Sequence, residues 1–248
     1  MTLSPAQRQR YDRNLRALGE EAQARLLASR VLVVGAGGLG SPVLLYLAAA
    51  GVGAIGISDP DPLELTNLQR QVVHGTPDLG AAKAESARAR LAALNPDVAV
   101  TVHPRVTPEN AAGLLAGWDA VVDATDTFDA KYLIGDTCAA TGTPHVWGTL
   151  VGLAFQVSVF WTRPPAPLPA VTLRDLHPAP PATGATPTSL DVGVLGAVCG
   201  QAGSVMAAEA IKVLTGIGAP LVGRVLVGDA AAARWDVLSF AGPVREEI

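Results

Sequence analysis

The chain predicts an α/β fold, a Rossmann-like and mostly parallel sheet continued by antiparallel strands, and three observations carry that expectation. First, Val31-Leu-Val-Val34 is a short branched apolar run that ends at a glycine-rich turn; an apolar small-residue segment and a second such run, Ala54 to Ser58, follow. Strand, helix and strand in that order make a parallel βαβ unit. Second, Trp118 to Asp123 repeats the pattern and delivers a carboxylate to the C-terminal end of its strand, where open α/β sheets bind ligands. Third, His145 to Leu150 and Phe155 to Trp161 read as two strands joined by a glycine-containing turn, with no helix between them.

The remaining elements follow in chain order. A polar helical arm is expected up to Ser29, and the segment from Gly38 to Ala50 is the first crossover helix. Ala81 to Leu94 carries Ala, Lys, Glu and Arg at helical spacing and stops before Asn95-Pro96; Val98 to Val102 then alternates as a strand. A further helix is expected from Pro108 to Ala116, and another from Phe128, with Asp126 as its N-cap. Arg163 to Asp191 contains eight prolines (164, 165, 167, 169, 178, 180, 181 and 187) and predicts a long mobile crossover loop without helix or strand. Beyond it, Gly193 to Leu214 reads as a helix with Glu209 and Lys212 on its polar side. Arg224 to Gly228 and Ala233 to Phe240 form a final hairpin. No internal repeat is visible, and residues 1–248 are expected to form a single domain, with 1–29 as an arm and 163–191 as a flexible loop.

Of the 248 residues 49% are hydrophobic, enough for a sizeable core. Eighteen Lys and Arg against 22 Asp and Glu leave no sequence-wide basic field for a phosphate polymer, so no DNA partner is expected. The basic start lacks a following apolar stretch of signal-peptide kind, and Leu39 to Gly56 is interrupted by four glycines and a proline. No membrane association is expected. Two cysteines, Cys138 and Cys199, build no disulfide framework and no four-ligand zinc site, which points to the cytoplasm.

Gly35-Ala-Gly-Gly-Leu-Gly40 follows a strand and opens a helix, so its backbone N–H groups can face an anionic phosphate. Gly35, Gly37, Gly38 and Gly40 are thus candidate nucleotide contacts. The motif serves NAD, FAD and ATP binders alike, and Asp59 at the end of the second strand can hold the ribose of any adenosine. Asp61 lies just beyond, and after it Asn67, Arg70, Gln71 and Lys83 form a set of amide and cationic groups that suits the charge of a triphosphate. Taken singly, Arg70 and Lys83 read as a solvated polar face; beside the glycine loop they favour ATP. Asp123-Ala-Thr-Asp126-Thr127 ends the next strand, and Asp126 can meet the phosphates through Mg²⁺, with Asp123 the more structural carboxylate.

These stretches, in this order, resemble the ThiF/MoeB/HesA family, relatives of the ubiquitin-activating enzymes. The resemblance runs from Arg10 to about Phe240. It rests on Arg10-Tyr-Asp-Arg13-Asn, Val33-Val-Gly-Ala-Gly-Gly-Leu-Gly40, Asp59-Pro-Asp61, Thr66-Asn-Leu-Gln-Arg-Gln71 and Gly80-Ala-Ala-Lys83. Asp123-Ala-Thr-Asp126, Gln156-Val-Ser-Val-Phe160, Gly193-Val-Leu-Gly196 and Glu209-Ala-Ile-Lys-Val-Leu-Thr-Gly216 complete it. It implies a homodimer that uses ATP and Mg²⁺ to adenylate the C-terminal glycine of a small ubiquitin-like sulfur-carrier protein ending in Gly-Gly, releasing pyrophosphate. By position, Gly38 and Asp59 would bind the adenosine end, and Asn67, Arg70 and Lys83 the phosphates. Arg13 would reach the partner subunit's triphosphate, Asp126 would hold Mg²⁺, and Gln71 would orient the reacting groups.

The departures are equally specific. The family's two Cys-x-x-Cys pairs are missing, from Pro164 to Leu176 and from the tail after Phe240, so no structural zinc is expected. Ser189 stands where members often place a crossover-loop cysteine, which argues against a thioester or persulfide step there. Thr127 replaces a usual Asn, and Lys131 a common Arg. Cys138 and Cys199 read as buried packing residues, and His74, His103, His145 and His177 share no ligand spacing and receive no role. Trp161, Trp235 and Phe240 are candidates for one carrier-docking patch. The alternatives are a tRNA-directed adenylating homologue, a non-catalytic nucleotide- or carrier-binding homologue, and an NAD-dependent oxidoreductase.

Overall fold

The computed structural model describes residues 3–182, 184–185 and 189–240. Pro187 and the tail after Phe240, both used in the sequence reading, lie outside the described residues. The arm is three short helices, α1 (Pro5–Arg10), α2 (Asp12–Leu18) and α3 (Glu20–Ala28). Then come β1 (Arg30–Val34), α4 (Gly40–Ala50), β2 (Ala54–Ser58), α5 (Lys83–Leu94), β3 (Ala99–His103), α6 (Ala111–Leu115), β4 (Ala120–Asp123) and α7 (Phe128–Thr141). The second half contains β5 (His145–Val151), β6 (Ala154–Phe160), α8 (Leu173–Leu176), α9 (Ser189–Val192), α10 (Gly196–Thr215), β7 (Arg224–Asp229) and β8 (Arg234–Ser239).

The strands form one sheet in the order β3-β2-β1-β4-β5-β6-β7-β8. The first five are parallel, and β6, β7 and β8 continue the sheet antiparallel. The mixed sheet expected from the sequence is therefore present. Period-two alternation divides β1 between two cores. Val31 and Val33 pack with residues of α4, α5 and α10, while Leu32 and Val34 pack with Ala111 and Leu115 of α6 and Ile134 and Cys138 of α7.

Helix α4 is apolar nearly all round because it is covered on one side by the sheet and on another by α10. By length and composition α10 could cross a membrane, but here it packs against α4 and β5, burying Ala202, Met206 and Ala210. Glu209 is not on a solvated face as expected. It is buried, its Oε2 accepts the Leu221 N–H at 2.7 Å, and it pairs with Lys212, so a buried carboxylate fastens the chain end leading into β7.

The proline-rich stretch is less loop-like than its composition predicts. Val171 donates its N–H to the Trp161 carbonyl at 2.9 Å, and Asp175 accepts from the Thr172 N–H and hydroxyl at the start of α8. Leu173 is buried against Gly135 of α7, and Arg174 bonds Asp136 through two 2.8 Å contacts. Proline blocks ladder hydrogen bonds, yet the proline-free run from Ala170 to His177 supplies the donors and the apolar side chains that seat it.

Helix α10 comes close to α4 at Gly203, where an added Cβ would lie 2.3 Å from Pro42 Cγ and 2.6 Å from the Leu39 carbonyl oxygen. The carbonyl cannot move without breaking the start of α4. Gly203→Ala is expected to lower stability by about 1–3 kcal/mol, seen as a lower urea midpoint at unchanged slope; an unchanged midpoint would contradict this packing.

Candidate nucleotide-binding site

The chain leaves β1 toward β2 on one side, while β4 pairs with β1 on the other, so the C-terminal ends of β1 and β4 open a crevice where the strand order reverses. The glycine loop fills one lip of it. Gly35 has φ 99°, and an added Cβ there would sit 2.7 Å from the Ala124 carbonyl oxygen. At Gly40 it would sit 1.9 Å from the Gly35 carbonyl oxygen. Both positions therefore accept only glycine, and the loop from β1 and the turn after β4 touch backbone to backbone. Asp59 also fastens the loop: its Oδ2 accepts the Ala36 N–H at 2.7 Å and its Oδ1 the Asp61 N–H at 3.0 Å.

The polar set beyond Asp59 closes on the same loop. Asn67 is buried, and its Oδ1 accepts the Glu64 N–H at 3.1 Å. Arg70 donates to the Thr66 carbonyl at 3.1 Å and lays its aliphatic stem over Gly38, with Cγ and Cδ each 3.5 Å from where a Cβ would be. Gln71 is buried beside Gly37, and its Oε1 has no hydrogen-bond partner. Lys83, first residue of α5, is also buried rather than on a solvated face, with Nζ 3.5 Å from Asp61 Oδ2. Arg105 comes within 3.6 Å of the other Asp61 oxygen. Sequence reasoning missed that cation; its position just past β3, at the ligand end of the sheet, was the available signal.

The carboxylates of the turn after β4 sit in different settings. Asp123 is fully buried, and its Oδ1 accepts from the Thr125 N–H at 3.0 Å and the Thr125 hydroxyl at 2.6 Å. Lys131 Nζ lies 3.5 Å from the same oxygen and donates to the Gly148 carbonyl at 2.7 Å, tying α7 to β4 and β5. Burial would raise the Asp123 pKa, but Lys131, His145 and Thr125 outweigh it and hold the carboxyl down to about 2. Burial likewise pushes the Lys131 pKa down, while the Asp123 carboxylate opposes that shift. Asp126 is exposed at the mouth of the crevice. It is not the N-cap of α7: Thr127 is, with extended backbone and its Oγ1 accepting from Ala130 N at 3.4 Å. The helix begins at Phe128, so the cap falls on the residue directly before it and leaves Asp126 outside.

Arg13 is not part of the site in its own chain. Its neighbour Asn14 donates to the Ala50 carbonyl at the far end of α4, about 15 Å along the helix from Gly40, and the Arg13 side chain is 88% exposed. Two of the three aromatic residues expected in one patch, Trp235 and Phe240, separate. Trp235 packs edge-on against Phe155 and Phe240 against Phe160; five positions apart on β6, those two rings point to opposite faces of the sheet. Cys138 and Cys199 are both buried with raised pKa values, caused by desolvation. The Cys199 sulfur lies 2.8 Å from where a Gly38 Cβ would be, packing under the glycine loop.

The ThiF family model matches residues 11–244. The chain is 50% identical over 224 residues, 89% of its length, to "Probable adenylyltransferase/sulfurtransferase MoeZ" of Mycobacterium tuberculosis, and spans 57% of that relative's length. It is 46% identical to the "Sulfur carrier protein adenylyltransferase" of Thermus thermophilus, covering 93% of this chain and 86% of that one. Among solved structures, Escherichia coli MccB with ATP superposes with a TM-score of 0.80 at 20% identity, covering 95% of this chain and 73% of the other, a likeness of fold.

Removing the cation under the Asp123 turn should be costly. Lys131→Met leaves a buried carboxylate unpaired and is expected to lower stability by about 3–5 kcal/mol. Adding Asp123→Asn should return part of that loss in a urea titration, whereas equal losses in the single and double variants would exclude a charge-pair origin.

Proposed function

The chain belongs to the ThiF family, and from that premise we propose that it is an ATP-dependent adenylyltransferase acting on a small ubiquitin-like sulfur-carrier protein. The reaction joins the carrier's C-terminal glycine carboxylate to AMP and releases pyrophosphate. The observation that carries this reading is that Arg70 and Gln71 pack on a glycine loop whose other side abuts the Ala124–Thr125 backbone, while Asp59, which fastens that loop, also bonds Asp61, the partner of Lys83. A hydride-transfer cofactor has no use for so many amide and cationic donors at this place, whereas a triphosphate does.

The residues divide the work as follows. Gly35, Gly37, Gly38 and Gly40 bring backbone N–H groups and the start of α4 against the phosphates, and Asp59 takes the ribose hydroxyls. Asp61 keeps the Lys83 ammonium aimed into the crevice, within 3.5 Å of its own carboxylate. Asn67, Arg70 and Lys83 neutralise the charge that builds on the leaving pyrophosphate. Gln71, buried beside Gly37, orients the reacting carboxylate and the α-phosphate by donating from its Nε2 amide. Thr127 lines the same mouth as Asp126. The exposed Asp126 suits Mg²⁺, which takes one or two protein carboxylates and fills its remaining positions with phosphate oxygens and water; bound there, the ion would neutralise phosphate charge. The carrier carboxylate attacks the α-phosphorus as the bond to the bridging oxygen breaks, so no enzyme nucleophile is needed and catalysis is alignment plus charge neutralisation.

Homodimerisation is part of the proposal. Arg13 stands too far along α4 to serve its own glycine loop, so its charge is available to another subunit. The arm bearing it borders an open apolar groove of about 890 Å³ lined by Leu45, Tyr46, Val72, Leu94, Val205 and Trp235. Arg10 donates to the carbonyl of Leu94, so arm and groove are contiguous. Exposed apolar side chains in such number suit burial against a second copy.

Purified chain, Mg²⁺ and a small carrier protein ending in Gly-Gly should support exchange of label between pyrophosphate and ATP; no exchange with any such carrier would overturn the assignment. Asp126→Ala is expected to slow exchange by about a hundredfold or more while adenosine binding persists. Arg13→Ala should be equally inactive alone, yet partly active when mixed with Asp126→Ala, because a mixed dimer holds one site with both residues; an inactive mixture would place Arg13 outside the partner's site.

A further inference from the structure

His74 has no place in the site described above, yet it is buried against the middle of the glycine loop. Its Nε2 lies 2.9 Å from the Ala36 carbonyl oxygen and its Nδ1 2.8 Å from Ser86 Oγ on α5. A carbonyl oxygen only accepts, so Nε2 must carry a proton. Ser86 Oγ also lies 3.0 Å from Asp78 Oδ2, and its single proton goes either to Nδ1 or to Asp78. Nε2 keeps its proton in both cases. The His74 N–H itself donates to the Gln71 carbonyl at 3.1 Å, so the turn that presents Arg70 and Gln71 also delivers this ring.

We propose that His74 is a positioning residue for nucleotide binding: by holding the Ala36 carbonyl it turns the Gly37 N–H toward the phosphates. The inference rests on the nucleotide reading given above. In a trans peptide the C=O and the following N–H point in opposite directions. Fixing the Ala36 oxygen on the His74 side therefore sends the Gly37 N–H to the other side of the loop. Next to a glycine a peptide flips at little steric cost, and a flip here would aim a carbonyl dipole at the phosphates. Asp59 already holds the Ala36 N–H, so His74 and Asp59 clamp one residue from both sides.

The test is direct titration of the full chain, without carrier, with ATP and separately with adenosine, which has no phosphate to meet the loop. His74→Phe keeps an aromatic ring and removes both ring nitrogens; it is expected to weaken ATP binding about tenfold and leave adenosine affinity unchanged. His74→Gln, whose amide can donate to the Ala36 carbonyl, should restore most of the loss. ATP binding equal to wild type in His74→Phe, or equal losses for ATP and adenosine, would overturn the proposal. Should His74→Phe fail to fold, Ser86→Ala takes its place: it unfastens Nδ1 while retaining the ring, and must show the same ATP-selective weakening, an unchanged ATP affinity there overturning the proposal. A wild-type chain that binds neither ligand would instead overturn the nucleotide reading on which it rests.

Discussion

Two stretches of backbone, the turn after β1 and the turn after β4, touch without any side chain between them, and the ligand end of the molecule is built on that contact. It exists because Gly35 presents no Cβ to the Ala124 carbonyl and Gly40 presents none to the Gly35 carbonyl. A side chain at Gly35 would push the two strand ends apart by the thickness of a methyl group, and one at Gly40 would push the start of α4 off the loop, so the crevice at the reversal of strand order would lose its floor. The same approach lets α4 start directly beneath the loop, so its first N–H groups and its dipole face the crevice.

Buried charge supports the contact from below. Asp123 spends its Oδ1 on Thr125, which bends the chain after β4 toward Asp126, and Lys131 neutralises it while reaching across to the Gly148 carbonyl. An ion pair so deeply buried is poor evidence for stability, since desolvation offsets much of the attraction. Its effect is on geometry: one carboxylate, one ammonium and one carbonyl hold β4, β5 and α7 at a single spacing. Asp59 does the corresponding work on the other flank, tying β2 to the Ala36 N–H. A carboxylate read from sequence as a ligand is thus also a structural fastener, and the two roles are compatible because each oxygen accepts more than one hydrogen bond.

The antiparallel half of the sheet serves a different purpose. Strands β6, β7 and β8 extend the surface beyond the last parallel pair, and α10 covers the join, packing on β5 on one side and α4 on another. The start of α10 also abuts the cationic turn: an added Cβ at Gly196 would lie 2.4 Å from the Gln69 carbonyl oxygen, and Cys199 fills the space under Gly38. The crossover that ends in Gly196 is thereby coupled to the turn that presents Arg70.

Much of this was legible in the order of residues. The strands over 31–34, 54–58 and 120–123 and the helices over 40–50, 83–94 and 196–215 followed from local rules, apolar period, glycine at turns and the Asn95-Pro96 stop, which act within a few residues. The candidate ligands were legible too, because their spacing relative to the glycine loop is a property of the chain. What the sequence left open depends on neighbours distant along the chain. Glu209 looked solvated until Leu221 supplied a buried N–H; Ala170 to His177 looked like loop until Trp161 and Gly135 gave it a seat. Trp235 and Phe240 looked like one patch until the pleat of β6 put their partners on opposite faces. His74 looked idle until the fold set it 2.9 Å from a carbonyl 38 residues earlier. Composition and spacing determine which groups a chain possesses and which elements present them; only packing, which brings remote backbone within hydrogen-bond range, decides which of those groups bind a ligand and which hold the binders still.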